Sequence, residues 1–405
     1  MTDIKEKIAI FADEHGSEYQ EIALAIHARP EVSNYEFFAS ETLSEKLRAE
    51  GFEIELPAAH QRTGFAAYYR SSKPGPVIAF LAEYDALAGL GHGCGHNIFG
   101  ATSSLAAAAL KSVIDEIGGE VRVYGTPGEE GGEEGSAKGS FVRDGYFKDV
   151  DAALCVHPGS SPKNGLSSRN LANAPVDIEF WGRPAHAAAI PEQGLNALDA
   201  QILVYNAISV LRQQLPTDVR IHGIITDGGT APNVIPEYTK SKYYLRAAAK
   251  ETVDMVYEKV ENIVKGAALQ TGCEGKMHLF QNFVENMVLT PKLDQVWVRN
   301  MNALGQECEP QTWKVSPGSS DVGNVSQVVP AIQPHISITD VQVPGHSQGM
   351  VEASRSEKGM KSIVLGAKAL AWTAVDLITD PKLLAEVKEE HAYNVAHQKD
   401  EHSDN

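Results

Sequence analysis

Cysteine is scarce in this chain: Cys94, Cys155, Cys273 and Cys308 are the only four among 405 residues. Their spacing suggests no disulfide framework, and Cys155 stands in the apolar run Ala152-Ala153-Leu154-Cys155-Val156, the setting of a buried core thiol. A reducing cytoplasm is the expected compartment. The opening residues, Met1-Thr2-Asp3-Ile4-Lys5-Glu6-Lys7, lack a basic segment followed by an apolar run, so no secretion signal is expected. No apolar stretch reaches the ~18–20 residues needed to span a bilayer. Positive charge is short as well: 35 Lys and Arg stand against 53 Asp and Glu, a net charge of −18. That balance argues against nucleic acid and against anionic membrane surfaces as partners. It does not imply a cationic substrate, because acidic surfaces are common in cytosolic proteins. Internal repeats and low-complexity segments are absent too.

What is present describes an ordinary globular protein, 43% hydrophobic and 22% charged. A chain of 405 residues exceeds what one hydrophobic core normally supports, so two domains are expected. Only a polar tail after His391 reads as disordered. Residues 3–29 carry helical apolar spacing, and Ser40–Glu50 reads as a second helix ending near Gly51. Val77–Leu81 is a continuous apolar run of the kind found in strands buried on both faces. Asn97 can cap a helix that runs through Ala101–Ile117. Val121–Tyr124, Ala152–Val156 and His335–Ile338 are further strands, and their alternation with helices argues for a mainly parallel or mixed α/β sheet.

Between about 174 and 286 the order changes. It reads strand (Val176–Trp181), helix (Ala197–Gln214), strand (Val219–Thr226), strand (Tyr238–Ala247), helix (Thr252–Gln270), strand (Met277–Phe283). This is the split β-α-β-β-α-β motif of ferredoxin-like folds. The expected organisation is a discontinuous metal-binding domain, residues 1–173 and 287–405, interrupted by an inserted domain at 174–286.

The chemistry-bearing residues cluster by position. Cys94 and His96 lie in Gly91-His92-Gly93-Cys94-Gly95-His96-Asn97, where the glycines let a thiol and an imidazole turn toward one point. Sulfur with nitrogen suits zinc, with manganese and cobalt also open. The same stretch fits a glycine-rich turn with an incidental Cys and His, and His92 reads as a structural or supporting residue. Gly128-Glu129-Glu130-Gly131-Gly132-Glu133-Glu134 holds two acidic pairs. Such a run is commonly a solvated loop, but this one starts at the carboxyl end of a strand. Two adjacent carboxylates there can divide the work. Glu130 would bind metal, and Glu129 would carry the proton, a role needing a pKa raised toward neutrality. Glu133 and Glu134 are then solvated. His157 ends a strand, His346 lies in Pro344-Gly345-His346-Ser347, and either could instead be structural. Asp85 could orient a metal ligand or serve as a turn residue. In the inserted region His186, Asn233 and Arg246 could hold the carbonyl oxygen and carboxylate of an amide substrate, or be polar surface residues. All the metal candidates follow apolar strand-like runs, and ligands in open α/β sheets gather beyond the carboxyl ends of strands.

These residues together resemble the aminoacylase/carboxypeptidase family of two-metal metallopeptidases, on the amidohydrolase branch that includes aminobenzoyl-glutamate hydrolase and related aminopeptidases. The resemblance runs from about residue 15 to 390. It is carried by Leu81–Leu87, Gly91–Asn97, Pro127–Gly132, Gly182–Ala187, Asn196–Ala200, Asn233–Pro236 and Ser320–Ser326. It implies a mixed-sheet catalytic domain with an inserted ferredoxin-like dimerisation domain that hinges between open and closed forms. It further implies that Cys94, His96, Glu130, His157 and His346 bind two divalent ions per subunit, zinc or manganese with cobalt as a third option. Glu129 is implied as general base. His186 is implied to reach across a homodimer interface into the partner's site as an oxyanion stabiliser, with Asn233 and Arg246 as substrate contacts. Two features depart from the family pattern: Asn97 stands where many relatives have aspartate, and Val341–Gly345 is atypical ahead of His346.

The implied reaction is hydrolysis of the amide bond of a small N-acyl amino acid or dipeptide, with Glu129 activating a metal-bound water. Two other readings use the same residues. One is a metal-free thiol amidohydrolase with Cys94 as nucleophile and His96 as its base. The other is a non-catalytic dimeric binding protein on a hydrolase fold, from which ligands or base would ordinarily have been lost.

Overall fold

Residues 2–398 are described by a computed structural model of the chain. In chain order the strands are β1 (Glu53–Glu55), β2 (Phe65–Arg70), β3 (Val77–Ala82), β4 (Glu120–Gly125), β5 (Ala152–Leu154) and β6 (His157–Gly159). There follow β7 (Ala172–Trp181), β8 (Arg220–Asp227), β9 (Tyr238–Ala247), β10 (Glu274–Leu279), β11 (Ala331–Ile332) and β12 (His335–Ser337). The chain divides into two compact units. One takes the chain up to Arg169, Met287–Ser316, and the chain from Ser320 onward; the other takes Asn170–Asn286 and Pro317–Ser319.

In the first unit the apolar run Val77–Ala82 becomes an interior strand. Ile78, Phe80 and Ala82 enter one core and Ala79 and Leu81 another, as a strand covered on both faces requires. The six-stranded sheet runs β1-β2-β4-β3-β5-β11. The β1–β2 and β2–β4 pairs are antiparallel, and β4–β3, β3–β5 and β5–β11 are parallel. The mixed α/β sheet is therefore as expected. Two details differ. The strand expected over Ala152–Val156 stops at Leu154, and the one expected at His335–Ile338 joins a separate two-stranded ladder, His335 opposite His157. Pro334, between β11 and β12, has no N–H to carry a continuous ladder, so the chain breaks there and pairs again one step out.

One core lies between this sheet and the helices Thr2–Ala28, His96–Ile117 and Glu357–Thr379. Ala106–Ala109 are all fully buried, which lets the middle helix approach its neighbours closely. Contrary to the sequence expectation, His96–Ile117 and Glu357–Thr379 are each long and apolar enough to cross a bilayer by length and composition. The reason is their position inside the core: 89% and 67% of their most apolar stretches are buried within the protein. The tail expected after His391 also begins later, since helix Pro381–Ala396 continues past it; residues 399–405 lie outside the described part.

The second unit has the element order β7, helix Ala197–Leu211, β8, β9, helix Lys250–Thr271, β10, with the sheet order β10-β7-β9-β8 and every pair antiparallel. This is the ferredoxin-like arrangement expected. Asn196 caps its first helix by accepting from the N–H groups of Leu198 and Asp199. In the second helix Val253, Val256, Val260, Val264 and Ala267 recur at helical spacing and are buried. β8 is an edge strand that leaves Ile224 64% exposed.

Burial sets one pH dependence. Asp294 accepts from both the N–H (3.1 Å) and the hydroxyl (2.8 Å) of Ser167 through one oxygen, while its other oxygen has no partner. Loss of water, with Glu390 nearby, lifts its pKa from 3.8 to about 7 against the pull of Ser167. The folded state therefore holds a proton that the unfolded state releases above about pH 4. Stability from this group is full below that pH and declines as pH rises toward 7, by up to a few kcal/mol. Asp294→Asn should flatten the thermal-unfolding profile between about pH 4 and 7 and gain midpoint relative to the parent at pH 8, measured by circular dichroism.

Candidate metal centre

Each donor is delivered by a strand end or a tight loop of the first unit. β3 runs straight into Glu83-Tyr84-Asp85, and β4 into Thr126-Pro127-Gly128-Glu129-Glu130. β6 begins with His157. Cys94 lies in the loop before helix His96–Ile117, whose N-terminal cap is Gly95 at φ 84°. The left-handed turn explains the glycine, and a side chain there would also strike Pro158 at 2.8 Å. His346 sits at φ 52°, with its N–H on the carbonyl of Gly93 at 3.2 Å, so the two loops are tied together.

The donors form two sets that share one atom. The Cys94 sulfur, a His96 ring nitrogen and a His157 ring nitrogen lie within 4.8 Å of one another, and so do the Cys94 sulfur, a Glu130 oxygen and a His346 nitrogen. Sγ of Cys94 is 3.4 Å from Nε2 of His157, and Nε2 of His346 is 3.3 Å from Oε1 of Glu130. Ring orientations are set from behind. His157 Nδ1 lies 2.8 Å from the Pro158 carbonyl, an acceptor only, so the proton sits on Nδ1 and Nε2 faces the sulfur with its lone pair. His96 Nδ1 lies 2.8 Å from Oδ1 of Asp85, whose Oδ2 takes the Glu130 N–H at 2.9 Å. One carboxylate thus orients a ring and anchors the neighbouring acidic loop. His96 Nε2 is buried and makes no hydrogen bond. A lone imidazole nitrogen in such a place, with thiol and carboxylate beside it, fits a borderline-soft divalent ion.

Electrostatics separates the two glutamates. Burial, together with Glu83 and Glu130, raises the pKa of Glu129 well above the usual carboxylate range, so it can take and return a proton. Burial disfavours a charged His96, yet Asp85, Cys94 and Glu83 outweigh it and hold its pKa well above that of free imidazole. Burial and Glu130 push the Cys94 thiol up. His157 is pushed down by burial, with His335 and His96 adding, while the bond to Glu130 raises His346.

Some expectations change. Asn97 does not cap the helix: it lies inside it, and its amide donates to the carbonyls of Ala23 (3.2 Å) and Ser354 (2.9 Å). An aspartate could not make those bonds, so the departure at this position belongs to packing and leaves Asp85 as the partner of His96. His92 is buried and neutral, its pKa lowered by burial to about 3. Sequence reading passed over Glu36, whose Oε1 takes the Gly128 N–H at 2.9 Å and Oε2 the Thr63 hydroxyl at 2.7 Å. It also passed over Glu83 and Lys138, both fully buried. No periodicity marks a buried lysine in Ser136-Ala137-Lys138-Gly139-Ser140; only the acids placed around it by the fold make it legible.

His186, Asn233 and Arg246 belong to the second unit. His186 is exposed, and its Nδ1 accepts the N–H groups of Ala188 and Ala189 at 3.2 Å each, which leaves Nε2–H as an outward donor. The Ala187 N–H bonds the Asn233 carbonyl at 3.0 Å, so these two residues lie together. Arg246 does not join them. It stands near the far end of β9, eight residues beyond Tyr238, a span of about 26 Å at strand rise. Its Nη1 donates to the Ser319 hydroxyl at 3.1 Å.

Overlapping sulfur, nitrogen and oxygen donors at strand ends, beside a carboxylate of raised proton affinity, define a metal-dependent hydrolase. The comparisons narrow the class. A profile for the peptidase dimerisation domain matches residues 166–272. The chain is 36% identical to the Xaa-Arg dipeptidase of Mus musculus, over 96% of this chain and 92% of that protein. It is 33% identical to one of the two kinds of polypeptide that make up the p-aminobenzoyl-glutamate hydrolase of Escherichia coli, over 92% of each. Among solved structures, the aminobenzoyl-glutamate utilization protein of Klebsiella pneumoniae matches with a TM-score of 0.74 at 18% identity, covering 91% of this chain and 98% of that one. A Bacillus subtilis protein described as a dinuclear metal binding peptidase from the M20 family matches at 0.61 and 19%, covering 90% and 99%. At those identities the structures speak to fold alone. The chain belongs to the M20 family of metallopeptidases and amidohydrolases.

The shared sulfur makes a test. Cys94→Ala should weaken the binding of both ions, whereas His346→Ala should weaken one and spare the other. Metal analysis of desalted protein by mass spectrometry, after loading with zinc or manganese, reads the stoichiometry; equal losses in the two variants would contradict the two-set geometry.

Proposed function

We propose that this protein hydrolyses the amide bond of small N-acyl amino acids or dipeptides with two divalent ions per subunit. The observation that carries the proposal is the pair of donor sets meeting at the Cys94 sulfur, with Glu129 beside them. Cys94, His96 and His157 would hold one ion, and Cys94, Glu130 and His346 the other. The donor set suits zinc, with manganese and cobalt as alternatives. When bound, the ions supply Lewis-acid polarisation of the carbonyl and lower the pKa of the attacking water.

The chain does the rest. Glu129 takes a proton from the water as its oxygen bonds to the carbonyl carbon, then delivers that proton to the nitrogen as the C–N bond breaks. The products are a carboxylate and an amine. Its burial supports this role, since a solvated carboxylate would be too weak a base near neutral pH. The donor Nε2–H of His186 suits an oxyanion, and Asn233 lies next to it. Arg246, too far along β9 to touch the same small molecule, would meet a substrate carboxylate in the other copy of the site.

That separation favours a homodimer through the second unit. β8 offers an edge to a second copy, with Ile224 and Ile225 exposed on it and Ile202 and Tyr205 exposed on helix Ala197–Leu211. The match to the peptidase dimerisation domain supports the same occupant. A reducing cytoplasm fits a site in which Cys94 must stay a thiol. Substrate choice starts from the relatives: dipeptides ending in arginine, and N-acyl glutamates. The metal-free thiol reading is disfavoured because burial raises the Cys94 pKa where a nucleophile needs it lowered.

The test is Glu129→Gln, assayed on a panel of dipeptides and N-acyl amino acids with zinc, manganese and cobalt. Turnover should fall by about 10²–10⁴-fold with bound metal unchanged. Full activity in that variant, or activity indifferent to exhaustive chelation and metal add-back, would overturn the proposal.

A further inference from the structure

The motif Ser320–Ser326 has no part in the chemistry derived so far, yet its Asp321 is fully buried. Oδ1 of Asp321 lies 2.6 Å from the Lys138 ammonium, and Oδ2 accepts the Lys138 N–H at 3.0 Å. Lys138 is itself fully buried, and its ammonium lies 2.7 Å from Oε1 of Glu83. The other oxygen of Glu83 faces the centre: Oε2 is 3.2 Å from Nε2 of His96. Glu83, His96 and Glu129 present donor atoms within 4.8 Å of one another.

A chain of four buried charged groups therefore runs Asp321, Lys138, Glu83, His96. Buried ions are costly unless each is matched, and a lysine held by two acids would normally be replaceable by apolar packing without loss. This one ends on the single ring nitrogen that has no hydrogen bond and that the neighbouring Asp85 turns toward the centre. A cation taken by that nitrogen also faces the Glu83 carboxylate. We propose that Glu83 is a positioning residue of the metal centre, held at fixed angle by Lys138 and Asp321, and that it sets the affinity for the ion that His96 holds. Asp321 and Lys138 act through Glu83. The device ties the loop after β3 to helix Ala137–Arg143 and to helix Val322–Ser326, so that residues remote in sequence act on one of the two ions.

The inference rests on the two-ion reading above, and metal affinity separates the two. Protein stripped of metal is titrated with zinc against a chromophoric chelator, and separately with cobalt while the visible sulfur-to-metal absorption from Cys94 is followed. Wild-type protein should take up two ions. Glu83→Gln keeps the shape and leaves the Lys138–Asp321 pair intact; Asp321→Asn loosens the same chain from its far end. Each should weaken one of the two binding steps by about 10–100-fold, leave the other step and the cobalt–sulfur band in place, and unfold with a single transition. If Glu83→Gln fails to fold, Asp321→Asn carries the same expectation. Two ions bound with wild-type affinity in a folded variant would overturn this inference and leave the proposed function standing. A wild-type protein that binds no ion would overturn both.

Discussion

Asp85 divides one buried carboxylate between two loops: an oxygen on the His96 ring and the other on the Glu130 backbone N–H. Those loops follow different strands of the parallel part of the sheet, and each carries proposed ligands. Because a buried carboxylate must be satisfied by such partners, the tautomer of His96 and the entry of the acidic loop are settled together. Glu36 anchors the same acidic loop two residues earlier through Gly128. The loop is thus held from behind at two points, which leaves the side chains of Glu129 and Glu130 directed by backbone geometry rather than by their own long rotamers.

The surroundings of this clamp are built against stability. Glu36, Glu83, Asp85 and Asp321 are all buried, with Glu129 nearly so, and Lys138 is the fully buried cation among them. Burial and Asp85 lift Glu36 to a pKa of about 8, and burial raises Glu83 against the pull of Lys138 and His96. A packed apolar core would fold more readily. Concentrations of strained charge of this kind cluster at functional sites, where added cations relieve them. The same charges also explain why the Glu129 carboxylate can hold a proton that an exposed glutamate would lose.

The second unit answers a different constraint. Its four-stranded sheet is covered by two helices, and β8 carries an open edge with exposed isoleucines. His186 and Asn233 sit together near one end of this sheet and Arg246 near the other. A small substrate cannot bridge that distance, so a division of labour between two subunits follows from strand length alone once these residues are given substrate roles.

Much of the architecture was legible from pattern. A two-faced apolar run marks β3, glycine-rich stretches mark the turns, and the order of strand and helix in the second unit follows from its periodicities. Local chemistry could likewise nominate Cys94, His96, Glu129, Glu130, His157 and His346, because thiols, imidazoles and paired acids beside strand ends stand out in any sequence. What pattern could not reveal was pairing across the chain. That Cys94 is common to two donor sets, that Asn97 serves Ala23 and Ser354 rather than a helix cap, and that Lys138 lies between Glu83 and Asp321 depend on segments up to some 250 residues apart. Residue type and spacing determine which groups are available and what local backbone they favour. Which of them share a nitrogen's lone pair or a buried charge is decided only when packing removes water and forces each polar group to find its partner.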